Sequence, residues 1–483
     1  MKYISLKTSV MFALMGAATS LFAESQDVKN FGAKADGAFD NTAAIQAAID
    51  KCSATGGGEV IFSETGTYMT STFDIKDNVC LNIPMGTMLK GNPPNKNYRL
   101  HALIAANKVS NIGITGGGII DGNGASFEIK DCAPNRARLI SINDCKNVKI
   151  ENITLQNPAT WTLSLCYNDT VTVKNVKLFS ICNFNNDGID IASKNVVISD
   201  SIITCDDDGI CIKNIRRDRK FVVENITVKN CVVASNCNAF KIGTETWGDI
   251  KNITVSNCVV RQTPFSHLRN WNKKNPKQKH FFLEESNNAI TGIAIESVDG
   301  AQVENISFSN MVLTGVQCPL FIRVGHRNKD EKKSAIRNVI IKNVIAKSAS
   351  CIPNTISSIP EHTLENVIIS DSIFDMKGCV DERTSETLAS KPVPENIKSY
   401  PEVRSFGIVP AYGFYMRHAK NITVNNVQVR YQNEDFRAPF YCDDIDYLRI
   451  MNCKIQPSAN GDEDPIVLKN VKNASLKNNS PLL

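Results

Sequence analysis

The pattern that organises this chain is a short β-branched phrase broken by Asn or Asp: Lys149-Ile150-Glu151-Asn152-Ile153-Thr154-Leu155, then Val173-Lys174-Asn175-Val176, then Ile198-Ser199-Asp200-Ser201-Ile202. It returns at Asn225, Asn252, Asn305, Asn338, Asn366 and Asn421, and the first steps from Asn152 are 23, 25, 25 and 27 residues. Short strands at this period, separated by polar turns, predict an all-β protein built as a parallel β-helix. A β-sandwich would not keep one register over so many returns, and the Leu framework of a horseshoe repeat is missing. Recurrent Asn tolerates a tight bend and can hydrogen-bond its neighbour in the next coil. Asp40–Cys52 breaks the pattern with capping residues followed by helical apolar spacing, which predicts a short helix closing the N-terminal end. Insertions around Arg261–Phe282 and Thr384–Val409 are expected as long loops over one face, where ligand sites tend to lie.

Composition narrows the class. The chain has 483 residues, 42% hydrophobic and 21% charged, enough for a large core and too balanced for disorder or a membrane protein. Length alone suggests more than one domain, but coils stack into one body, so 24–483 is expected as a single catalytic domain. Residues 1–23 read as a secretory signal: Lys2 and Lys7 precede the apolar run Val10–Leu21, and Ala23 stands before Glu24. The expected location is periplasmic or secreted, without membrane insertion. The net charge of +5 comes without a basic run, so nucleic acid is not expected as a partner, and a monomer is expected. Sixteen Cys would permit disulfides outside the cytoplasm, but Cys231 and Cys258 hold equivalent places in successive phrases, which predicts Cys stacked between coils as small hydrophobes. No Cys/His spacing suits zinc, and neither metal nor cofactor is expected.

Two successive coils carry acids: Asn185-Asn186-Asp187-Gly188-Ile189-Asp190, and Asp206-Asp207-Asp208-Gly209-Ile210-Cys211-Ile212-Lys213. Asp187 lies about one coil before Asp207 and Asp208, so neighbouring strands should present these carboxylates side by side. Such crowding is costly in a structural role, and glycoside hydrolysis needs it: it raises one carboxyl to serve as acid while another stays ionised. Lys213 can stabilise the ionised acids or contact substrate.

Gly116-Gly117-Gly118-Ile119-Ile120-Asp121-Gly122-Asn123-Gly124, Trp161-Thr162-Leu163, Asn185–Gly188 and Asp207–Lys213 together resemble the polygalacturonases, family 28 of the glycoside hydrolases. So does the opening Asn30-Phe31-Gly32-Ala33-Lys34-Ala35-Asp36-Gly37. The resemblance covers roughly residues 27–315. It implies a right-handed β-helix that hydrolyses pectic backbones by single displacement with inversion. Asp207 would then be the general acid, with Asp187 and Asp208 activating the water across a carboxyl separation of about 6.5–9.5 Å.

The departures bear on substrate. Where the family has Gly-His-Gly this chain reads Cys237-Asn238-Ala239, and where it has Arg-Ile-Lys it reads Ala294-Ile295-Glu296. The basic pair that grips a galacturonate carboxylate is gone from its expected place, and Glu296 facing a uronate would repel it. Either other residues hold the carboxylate, or the sugar is a different one. Candidates for substrate contact are Lys213, Asn238, Lys241, Glu245, Glu296, Arg323, His326 and Arg327, with Tyr412, Tyr415, Arg417 and His418 on a C-terminal loop suited to sugar stacking. A polysaccharide lyase and a non-catalytic carbohydrate-binding β-helix are the alternatives.

Overall fold

The computed structural model describes residues 25–99, 102–130, 132–264, 287–461 and 465–482. The signal segment 1–23 lies outside the described residues, as does the first insertion from 265 onward. The described strands form one sheet wound into a right-handed parallel β-helix, each strand pairing in parallel with its counterparts in the coils before and after it.

One interior row shows how the sequence builds the coil. Val148 pairs in register with Val171, then Val196, Ile226, Ile253, Ile306, Val339, Val367, Ile422 and Leu448. All ten side chains are buried. Because strand side chains alternate faces, every second residue joins such a row and the rest point outward. The helix Thr42–Ala54 buries Ala44, Ile45, Ala48, Ile49 and Cys52 and closes the N-terminal end, as its spacing predicts.

The bends are held by two Asn ladders five residues apart. In one, Asn225, Asn252, Asn305, Asn338, Asn366 and Asn421 each donate from Nδ2 to the preceding member's Oδ1, starting from Asn195. In the other, Asn230 donates to Asp200, and Asn257 and Asn310 follow. Every one of these residues has positive φ, which Asn tolerates better than other side chains with a Cβ. The ladders correct the sequence register: Asp200 and Asn225 are not successive members of one series. The coil from Asn195 to Asn225 is 30 residues long.

Cys231 and Cys258 stack as expected, with the Cys231 amide 3.4 Å from the Cys258 sulfur. Cys351 and Cys379 form a disulfide that the repeat did not reveal. The second insertion, expected as a loop, begins as the helix Glu382–Ser390, whose N-cap Asp381 accepts from the Thr384 amide. No helix among the described residues is long and apolar enough to cross a membrane.

Candidate active site

Strand register brings the acids together. Ile189 pairs with Ile210, and the Gly188 amide donates to the Asp208 carbonyl at 2.9 Å, so Asp187 and Asp208 sit at equivalent places in adjacent coils. The Gly209 amide donates to the Asn238 carbonyl, adding Asn238 from the next coil. A second outward row runs Ser164, Asp190, Cys211, Lys241, Ala294 and Phe321. Gly188 and Gly209 are required by close approach: a Cβ on either would fall 2.4–2.5 Å from the carbonyl oxygen of the next coil. Asn186 fixes the first turn by donating to the carbonyls of Pro158 and Thr160.

The charges divide into two buried sets. Lys213 Nζ lies 2.7 Å from Asp190 and 3.4 Å from Asp187, and stands 4.3 Å from the Trp161 ring centre. Lys241 Nζ lies 3.1 Å from Asp208, whose other oxygen accepts from Asn238 Nδ2 at 2.8 Å. Burial works against both lysine charges, but their aspartates outweigh it and hold them protonated. Burial also opposes the charge on Asp208, yet Lys241, Lys213 and the Asn238 hydrogen bond prevail and keep this carboxyl well below the usual range. Asp187 goes the opposite way: burial, then the nearby Asp190 and Asp207, push its carboxyl well above the usual range against the pull of Lys213. Asp207, less buried than either, accepts from the Asp208 amide at 2.9 Å. One oxygen of each of Asp207 and Asp208 and the Cys237 sulfur lie within 4.8 Å of one another, close enough to hold a cation. Lys241 already neutralises Asp208 there.

Of the expected binding residues, the structure brings Lys213, Asn238, Lys241, Glu245 and Glu296 to this cluster. Lys213 and Lys241 are engaged by aspartates and are not free to hold a substrate anion. Asn238 steadies Asp208. Glu245 is held ionised against burial by Lys213, Lys241 and Arg327. Glu296 is fully buried, neither carboxyl oxygen has a hydrogen-bond partner among the described residues, and burial pushes its carboxyl up to about 8. A protonated Glu296 does not repel a uronate, which removes that objection.

The remaining candidates are placed elsewhere or already occupied. Arg323 donates to Ser357 Oγ, Ser358 O and Glu395 O, so it pins the second insertion instead of facing substrate. That insertion delivers Tyr400 to 5.5 Å from Lys241 Nζ. His326 packs edge-on against His362. Tyr412 and Tyr415 are not on a loop: both lie in the strand Ala411–Tyr431, each 1% exposed, and pack on Tyr431 and Tyr441. Arg417 and His418 continue that strand and pair with Glu395, Asp443 and Asp444. Their aromatic and basic composition suggested a ligand loop, but Tyr412 faces inward and Tyr415, in the outward row of Phe321 and Thr355, is covered by Val393, Phe406 and Val409 of the second insertion.

Sequence reasoning passed over Asp190, the closest partner of Lys213. Its outward place between the inward Ile189 and Ile191 was the available signal.

Residues 67–270 match the model for glycosyl hydrolases family 28. Polygalacturonase QRT2 of Arabidopsis thaliana is 30% identical over 202 residues, 38% of this chain and 45% of that protein. The endo-polygalacturonase of Pectobacterium parmentieri is 25% identical over 377 residues, covering 70% of this chain and 86% of its own. The chain spans about half the length of the first plant relatives it matches, 45% and 54%. Among solved structures, an exopolygalacturonase of Thermotoga maritima aligns at TM-score 0.60 and 22% identity over 73% of this chain and 87% of that one, a likeness of fold. The matched stretch holds the whole aspartate cluster, so the likeness to glycosyl hydrolases family 28 includes the residues of the site.

Proposed function

We propose that this chain is an exported glycoside hydrolase that cleaves pectic or related polysaccharides by a single displacement with inversion. The observation that carries the reading is the opposed setting of two adjacent carboxyls, Asp208 held ionised and Asp187 driven toward its protonated form. A pair of carboxyls pushed apart in this way supplies an acid and a base at one pH. Asp208 is the base that takes a proton from the attacking water. Asp207, the more exposed of the three, delivers a proton to the leaving glycosidic oxygen as the bond to the anomeric carbon breaks. Asp187, expected as a second base, serves in this reading as the store for the proton that Asp207 passes on. The aspartates interact, so their titration belongs to the cluster and not to one residue.

Export rests on the Lys2 and Lys7 flanked apolar run and accords with the Cys351–Cys379 disulfide, a bond kept in oxidising compartments. Residues 24–483 act as one catalytic unit in this reading.

Asp207→Asn tests it. The variant should lose roughly 10²–10⁴-fold in kcat on polygalacturonate while keeping its melting temperature, the loss typical for removing a general acid. Wild-type turnover by this variant would overturn the assignment.

A further inference from the structure

The bend that delivers Asp187 is not regular strand. Residues 181–186 lie between the strands Leu163–Ser180 and Ile189–Ser199, and side-chain hydrogen bonds set their course. Asn185 has φ 56°, and Asn186 Oδ1 accepts from the Asn183 amide at 2.7 Å. Thr162 holds the far side, its amide and hydroxyl both donating to the Asp187 carbonyl, at 3.0 and 2.7 Å.

The near side is held by an arginine from two coils earlier. Arg136, 6% exposed, stands just before the strand Arg138–Asn143, which pairs with Leu163–Ser180, and that strand pairs with Ile189–Ser199. Its guanidinium reaches across all three coils. Nε donates to the Ala133 carbonyl of its own loop at 3.2 Å, and Nη1 to the Ala159 carbonyl of the next coil at 3.2 Å. In the third coil Nη1 meets Asn183 Oδ1 and the Phe184 carbonyl, and Nη2 donates to Asn185 Oδ1 at 2.7 Å. The contact is returned: Asn183 Nδ2 donates to the carbonyls of Gly124 and Glu128, and the Cys132 amide to Asn185 Oδ1. Burying a guanidinium is costly, and apolar packing would fill the same space. What the guanidinium adds is a planar fork of donors in fixed geometry, here aimed at three consecutive residues that lead into Asp187.

We infer that Arg136 is a positioning residue for the hydrolysis: buried away from the substrate, it holds the 183–186 bend so that the Asp187 carboxyl is set against Asp207 and Asp208 of the following coil. This inference rests on the hydrolase reading above. The charged groups around Asp187 are Asp190, Asp207, Asp208 and Lys213, so a small displacement of the bend changes every one of these distances at once.

The test is Arg136→Lys in the full chain, which keeps the charge and loses the fork. On polygalacturonate its kcat should fall roughly 10–100-fold, since about 1 Å of misplacement costs up to about 10²-fold, while KM stays within about two-fold. Water admitted to a loosened bend relieves the burial that drives Asp187 toward its protonated form, so the alkaline limb of kcat against pH should move to lower pH. An arginine of structural importance alone would lower the melting temperature and leave kcat per folded chain and that limb unmoved. Asn183→Ala removes one acceptor of the guanidinium and tests the same hold where Arg136→Lys does not fold; where both fold, their losses in kcat should fall short of multiplying in the double variant. Wild-type kcat and an unmoved limb in either folded variant would overturn the role of Arg136 while leaving the hydrolase reading intact. No turnover of polygalacturonate by the wild-type chain would overturn the hydrolase reading, and this inference with it.

Discussion

At the scale of single residues, the departures from the family pattern are where the structure says most. Glu296 looked hostile to a uronate when read as a charge. Enclosed without a hydrogen-bond partner among the described residues, its carboxyl is pushed up to about 8, so it is neutral over most of the working range. The consequence for stability has a definite sign. Between the unfolded value of about 4.3 and the folded value, the native state holds a proton that the unfolded chain has released, so stability falls as pH rises through that window. The slope approaches roughly 1 kcal/mol per pH unit at most. Glu296→Gln removes this proton linkage. Its melting temperature should match wild type near pH 4 and exceed it increasingly toward pH 8, as followed by thermal melts across that range. Parallel curves for the two proteins would show that Glu296 is ionised in the fold. Asp190 teaches a complementary lesson, because only three-dimensional contact reveals that Lys213 leans on it at 2.7 Å.

At the scale of the element, the coil and its polar bends were legible because the repeat imposes them. Rows of Val and Ile, and Asn at the bends, follow from strand alternation and the left-handed turn, both local requirements. The register was legible only in part. Two ladders five residues apart present the same Asn signal, so Asp200 and Asn225 looked like successive members when they belong to different ladders. Asn252 offers a direct test, since it has φ 59° and bonds to Asn225 and Asn305. Asn252→Ala should cost about 1–2 kcal/mol through backbone strain and lost hydrogen bonds. Asn252→Gly should cost less, because glycine adopts the same φ freely. Chemical denaturation of both variants checks this, and equal costs would mean that the left-handed bend is not what selects Asn there. Tyr412 and Tyr415 were misplaced for the converse reason: their composition suggested a ligand loop, but both lie in a strand, Tyr412 on its inward side and Tyr415 outward beneath the second insertion.

At the scale of the whole molecule, the site is a product of stacking. Asp187, Asp208 and Asn238 come from three successive coils, and Asn238 and Lys241 reach Asp208 from the coil after its own. That Asp187, Asp207 and Asp208 cluster was readable from their one-coil spacing. Of the cations that set them apart, Lys213 was legible from its place after the second acid run, but Lys241 was not assignable to Asp208 from sequence, because it reaches back from the following coil. The most direct measurement is the anomeric form of the product released from polygalacturonate, followed by proton NMR in the first minutes of reaction. Single displacement predicts a new reducing end of inverted configuration from the wild-type chain and almost none from Asp207→Asn. A retained anomer, or an unsaturated sugar at the new non-reducing end, would contradict it.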